Sequence, residues 1–181
     1  MTEQVLYVDD DTPEHIRTYY DNGVLSDECY KINDIIEGEV KKYYRNGNLQ
    51  EVIHFTKGKA NGEYKEYYEN GELKETGLYE NTRKEGICKR YHENGNLKLI
   101  AYYENGNPTG NYLQYYDNGS VEATCMFMNG VVEGFRTDYY PNGNIKEVMF
   151  FEKGEPVGEI RKFDVNGKQL FDFKSRLNRL C

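Results

Sequence analysis

Short runs in which aromatic or aliphatic residues alternate with charged ones come in pairs along this chain, and an Asn-Gly step separates the members of each pair. From Gly62 to Asn81 the first run is Gly-Glu-Tyr-Lys-Glu-Tyr-Tyr, the step is Glu-Asn-Gly, and Glu-Leu-Lys-Glu-Thr-Gly-Leu-Tyr follows before Glu-Asn. Alternation with a period of two marks a strand, and Asn-Gly between two such runs is the strongest short hairpin signal. No 3.6-residue periodicity is sustained, and glycine recurs too often for a helix of ordinary length. Each unit is predicted to be a β-hairpin.

The units form an array. Asn22, Asn46, Asn70, Asn94, Asn118, Asn142 and Asn166 are each followed by a glycine, giving Gly23, Gly47, Gly71, Gly95, Gly119, Gly143 and Gly167 at a spacing of 24 residues. A second ladder, Gly38, Gly62, Gly86, Gly110, Gly134 and Gly158, keeps the same period. A third set, Gly58, Gly106, Gly130 and Gly154, is replaced by Asp34 and Thr82 in two copies, so that turn tolerates a residue other than glycine. Pro141 precedes Asn142, and proline suits position i+1 of a type I turn. The Asn-Gly tips are therefore predicted as type I turns with a left-handed glycine bulge, with negative φ at Asn142.

Tyrosine follows the same period. Tyr20, Tyr44, Tyr68, Tyr116 and Tyr140, with His92 in the remaining copy, lie three residues before the tip glycine; Tyr19, Tyr43, Tyr67, Tyr91, Tyr115 and Tyr139 lie four before it. Together these are 11 of the 18 tyrosines, so tyrosine serves mainly the repeat lattice. Alternation puts the two series on opposite faces, the Tyr20 series with Ile16, Val40, Tyr64, Cys88, Tyr112 and Ile160; Arg136 departs from that apolar set. In the second strand, Leu25, Leu49, Leu73, Leu97, Val121 and Ile145 are placed on the same side as Phe55, Tyr79, Tyr103, Phe127 and Phe151. Both faces thus carry aromatic stripes. The predicted fold is all-β: an elongated, single-layer, twisted antiparallel sheet of stacked hairpins, an open solenoid-like meander of roughly fourteen strands and about 67 Å. One domain spans 1–181, with a half-repeat at about 4–13 that includes Val5, Leu6 and Tyr7, seven repeats over about 14–173, and a cap at 174–181.

Composition narrows the function. A net charge of −8 disfavours a nucleic-acid or anionic-membrane surface and suits a basic protein partner. No apolar run approaches a membrane span and the start has no basic n-region, which points to the cytoplasm. Cys29 and Cys125 sit four repeats apart, about 38 Å, too far for a disulfide, and no CxxC occurs. His15, His54 and His92 fall at different repeat positions and are not expected to converge on a metal or an active site. Asp9 to Asp11 lack the glycine and glutamate of a calcium loop, and the row of Asp27, Glu51, Glu75 and Glu147 is read as a solvated face. No cofactor, metal or enzymatic activity is expected.

The pattern Gly-x-Tyr-x-x-Tyr-Tyr-x-Asn-Gly-x-Leu, completed by a later Tyr-x-x-Gly, resembles the MORN-repeat variant, whose bacterial members include proteins named YwqK-type antitoxins. The resemblance spans about residues 14–173 and departs at His92, at Thr82 and in the final copy, where Gln169 replaces the leucine. It implies a stacked-hairpin sheet. Related repeats serve as attachment modules beside kinase domains, but this chain has no glycine-rich phosphate loop. The expected function is a non-enzymatic protein-binding module, with antitoxin or immunity-type neutralisation of a toxin as the finer reading. A structural or membrane-associated scaffold is the alternative. The candidate binding stripe is Tyr20, Tyr44, Tyr68, His92, Tyr116 and Tyr140, because tyrosine joins a rigid apolar body to a hydroxyl. Open sheet edges provide a route to homo-oligomers.

Overall fold

The computed structural model describes residues 12–170. Val5 to Tyr7, Asp9 to Asp11 and the 174–181 cap lie outside them. The strands are β1 (Glu14–Tyr19), β2 (Leu25–Ile32), β3 (Ile35–Ile36), β4 (Gly38–Tyr43), β5 (Leu49–Thr56), β6 (Lys59–Tyr67), β7 (Leu73–Glu80) and β8 (Arg83–Tyr91). They continue as β9 (Leu97–Glu104), β10 (Asn107–Tyr115), β11 (Val121–Met128), β12 (Val131–Tyr139), β13 (Ile145–Glu152), β14 (Glu155–Phe163) and β15 (Gln169–Leu170). All pair antiparallel in one open sheet in chain order, with the short β3 set against β2.

Two turn types alternate along the sheet. At the Asn-Gly tips the Gly71 N–H donates to Tyr68 O at 2.9 Å and the Tyr68 N–H donates to Glu72 O at 2.8 Å. Gly71 takes φ +91° while Asn70 and Asn142 keep negative φ, which is the type I turn with glycine bulge. At the opposite edge two-residue loops join paired strand ends, as Asn81 and Thr82 do between Glu80 and Arg83. Both residues are left-handed, φ 49° and 68°, as a type I′ turn requires, and Asp34 at 64° does the same. The second glycine ladder marks bulges: β5 and β6 pair through Phe55 and Ala60, then through Ile53 and Tyr64, so β6 carries two extra residues around Gly62, φ +117°.

Register corrects one expectation. Tyr67 pairs with Leu73, but Glu66 pairs with Glu75 and Gly62 with Tyr79. The extra residue, Lys74, breaks the alternation, so the Leu73 series shares the Tyr67 face whereas Tyr79 shares the Tyr64 face. The core lies mainly on the Tyr64 face, where Ala60, Tyr64, Cys88, Leu99, Ala101 and Ala123 are buried. Tyr64 owes its place to Gly77 opposite: a β-carbon there would lie 2.9 Å from Tyr64 Cε1. A second correction concerns the acidic row, because Glu75 is buried at 4% exposure among these apolar neighbours.

Candidate binding groove

Each side chain of the Tyr20 stripe reaches from its own hairpin to the next. The hydroxyls of Tyr20, Tyr44, Tyr68, Tyr116 and Tyr140 donate to the carbonyls of Tyr43, Tyr67, Tyr91, Tyr139 and Phe163, at 2.6 to 3.0 Å. His92 makes the equivalent bond to the Tyr115 carbonyl through Nε2 at 2.9 Å, which fixes that nitrogen as the donor. The rings are half-buried, and their orientation is set by two successive hairpins. Arg45 lies over the Tyr20 ring at 5.0 Å from its centroid, and Lys146 over Tyr140 at 5.9 Å.

Asparagine explains itself at the same edge. Asn46 Oδ1 accepts the Asn48 N–H at 2.9 Å, closing its own turn, while Nδ2 donates to Glu69 O in the next tip at 3.1 Å. Asn22, Asn70, Asn94 and Asn142 repeat both bonds. Aspartate has the acceptor without the donor, so only Asn does both. On the other edge, Glu37, Glu85 and Glu133 carboxylates accept the N–H of Lys57, Asn105 and Lys153 two turns apart in sequence.

Beside Tyr68 lies a cluster of opposite charges. Tyr64 Oη donates to Glu75 Oε1 at 2.6 Å, Lys84 also bonds Oε1, and Arg90 Nε donates to Oε2. Burial alone would raise the Glu75 pKa, but the Lys84 and Tyr64 hydrogen bonds and the Lys84 and Arg90 charges outweigh it and hold the carboxyl at about 2. Burial pushes the Tyr64 phenol and the Cys88 thiol up, so both stay neutral. Every buried polar side-chain atom among the described residues has a partner. This is a satisfied network, and its components are held by structure rather than poised for proton transfer.

Three shallow concavities adjoin along this face, of about 260, 400 and 390 Å³. Tyr44, Tyr68 and His92 line them in succession, so half of the candidate stripe borders a common groove. The charges around it balance: Lys42, Lys74, Lys84, Arg90 and Lys98 against Glu51, Glu66, Glu75, Glu93 and Asp117. Tyr20, Tyr116 and Tyr140 stand at either end of the stripe outside these concavities. The sequence reading did not single out Tyr64, Lys84, Arg90 or Lys98 as functional. The sequence carried no signal for them, because Glu75 stands in a row with Asp27, Glu51 and Glu147 that reads as solvated.

The remaining chemistry is dispersed. His15 stacks on Tyr30 at 4.3 Å and bonds Glu28 at 3.2 Å, on strands remote from His54 and His92. Tyr43, of the opposite stripe, donates to Glu28 Oε1 at 2.7 Å. Cys29, Cys88 and Cys125 are free thiols. Among the described residues no group of three or more His, Cys, Asp or Glu side chains is placed to hold a metal ion, and no helix is long and apolar enough to cross a membrane.

Compared with curated proteins, the chain has no match. Compared with protein families, it matches the MORN repeat variant in five consecutive units, residues 36–57, 60–81, 84–105, 108–129 and 133–153. Each matched unit is one hairpin with its Asn-Gly tip at the centre, bounded by the two-residue turns. The five units cover more than half of the chain, which therefore belongs to the MORN repeat variant family of non-catalytic repeat modules.

Proposed function

We propose that this array is a non-enzymatic platform that binds a protein partner along the groove bordered by Tyr44, Tyr68 and His92. The observation that carries the reading is the pinning of these rings: each is anchored by the next hairpin, so a partner meets aromatic surface whose ordering cost is already met by the fold. Arg45 over Tyr20 and Lys146 over Tyr140 show what such rings attract, namely cationic side chains. The overall charge of −8 steers a basic partner toward the sheet, and the balanced charges of the groove then select its contacts.

The finer reading is neutralisation of a toxic partner in the cytoplasm, supported by the likeness of the repeats to those of proteins named YwqK-type antitoxins. Affinity capture from native lysate, followed by calorimetry with the captured protein, tests the platform. Tyr68→Ala is expected to weaken binding roughly tenfold or more, and raising salt to weaken it further. Binding indifferent to both, or clear flotation of the chain with anionic vesicles, sinks the reading. Co-expression with the captured partner tests the finer one: rescue of growth supports neutralisation.

A further inference from the structure

The charges of the groove balance as a whole but not along its length. Around the concavity bordered by Tyr44, Lys42 and Lys74 face Glu51 and Glu66; around the one bordered by His92, Lys98 faces Glu93 and Asp117. The middle concavity, of about 400 Å³, differs, because Lys74, Lys84, Arg90 and Lys98 stand against Glu66 and Glu75 alone. A basic centre is a local departure in a chain of net charge −8, and the repeat shows how it is built. Where Lys84 stands, the other copies have Ile36, Ala60, Pro108, Val132 and Pro156. Lys42 pairs across its hairpin with Glu51, whereas Arg90, at the same repeat position, pairs with Leu99. This copy has gained a cation and lost an acid. Glu75 is shared between Lys84 and Arg90, so one positive charge is left over. Arg90 gives only Nε to Glu75, and among the described residues its Nη1 and Nη2 make no hydrogen bond. Lys74 reaches Glu66 at 3.4 Å, but Lys98 is exposed and has no ion pair among the described residues.

We propose that the middle concavity is an anion site that takes a carboxylate carried by the protein partner, held by the Arg90 Nη pair and Lys98. The source of the carboxylate rests on the platform reading. With Nε fixed by Glu75, the guanidinium presents Nη1 and Nη2 as a planar fork, and a fork of two donors matches the two oxygens of a carboxylate. Glu66 and Glu75 at the rim favour a monoanion over a phosphoryl dianion, since each further negative charge meets both of them. About one hairpin further along, roughly 10 Å, Glu93 and Asp117 suit a cation. The segment that fits is therefore acidic at one position and basic about three residues on in extended form. A basic partner accommodates such a segment: net charge steers the encounter, and the carboxylate sets the register.

Titration of the full chain with a capped tetraglutamate peptide, followed by NMR of the arginine side chains, tests this. The expected result is saturable binding with a dissociation constant of about a millimolar and a shifted Arg90 Nε–H resonance. Lys98→Glu, at an exposed side chain, is expected to weaken binding at least about fivefold. Arg90→Lys should weaken it as much although the charge is kept, because the fork is lost. Should that variant fail to fold, Lys98→Glu still decides. Lys89→Glu makes the same charge change on the opposite face of β8 and leaves binding unchanged. Absence of binding at about 20 mM peptide overturns the proposal. So does binding indifferent to Lys98→Glu, which would place the peptide elsewhere, or tighter binding of inorganic phosphate or phosphatidylserine vesicles at these residues. Tetraglutamate needs no partner protein, so the two readings fail separately: a captured partner weakened by Tyr68→Ala and indifferent to Lys98→Glu sinks the anion site alone.

Discussion

At the scale of single residues, the sheet is governed by size complementarity across paired strands. Tyr64 fills the space that Gly77 leaves, and Cys88 pairs with Ala101 in the next copy. Gly77 has no positive φ to defend, so its constraint is steric. Gly77→Ala is expected to cost about 1–3 kcal/mol in thermal or denaturant unfolding, since the buried Tyr64 ring cannot swing away. Tyr64→Val in the same chain should recover part of that loss; additive losses would show that the ring was not the obstacle. Thr82 is the converse case, a β-branched residue at φ 68°. Thr82→Gly is expected to stabilise the fold by about 0.5–1 kcal/mol, and a lowered melting temperature would refute this. Glu75 sets an acid limit. Its folded pKa, about 2, lies below the unfolded carboxylate value, so its contribution is fully present above about pH 4.5 and is lost as pH falls toward 2. Glu75→Gln should flatten that part of the stability curve and cost about 2 kcal/mol near neutrality, the part-exposed Lys84 and Arg90 being left without their acceptor.

At the scale of the hairpin, the stack is held at both edges by bonds that leave one turn and end in the next. The Tyr68 hydroxyl and the Asn70 side chain join consecutive tips, and on the far side the Thr82 N–H donates to Ala60 O at 2.8 Å. Asn70→Asp keeps the turn acceptor but turns a donor into a carboxylate facing the Glu93 carbonyl. The expected cost is about 1–2 kcal/mol, with faster amide exchange confined to the two tips it joins. Uniform exchange would show that the tips are not coupled this way. The turns were legible in the sequence because only glycine or asparagine suits their backbone, and Pro141 discriminated between two turn types. The side assignment of Leu73 was not legible, because the extra residue at Lys74 is an ordinary lysine and a bulge there needs no special φ. Nor was the burial of Glu75, which depends on Lys84 and Arg90 from the neighbouring strand, whereas its row-mates Glu51 and Glu147 meet Lys42 and Lys162 at 3.1 and 3.5 Å nearer the solvent.

At the scale of the whole molecule, strand order equals chain order, so a hairpin touches only its predecessor and its successor. Period and phase were enough to read this fold, because every unit poses the same local problem and each solution repeats. The groove was harder: its aromatic border follows the period, but the charges at each repeat position change sign from copy to copy, as at Lys42, Glu66 and Arg90, so which of them meet is decided by packing. Nearest-neighbour architecture carries a direct consequence for deletions. Removing Asn107 to Gly130 takes out one full period, β10 and β11, and joins Gly106 to Val131, a residue at the same repeat position as Asn107. The Asn105 and Gly106 turn is retained, each remaining tip still finds a carbonyl 23 residues on, and Glu75 keeps its partners. The shortened chain is expected to unfold in one cooperative transition with an unchanged circular dichroism signature and a stability lower by about 1–4 kcal/mol. Removing only Asn107 to Asn118 deletes half a period, leaving β9 to meet a strand that runs in the wrong direction, and this chain is expected to lose the transition altogether. Equal stability of the two deletions would mean that the sheet is not built from interchangeable hairpins.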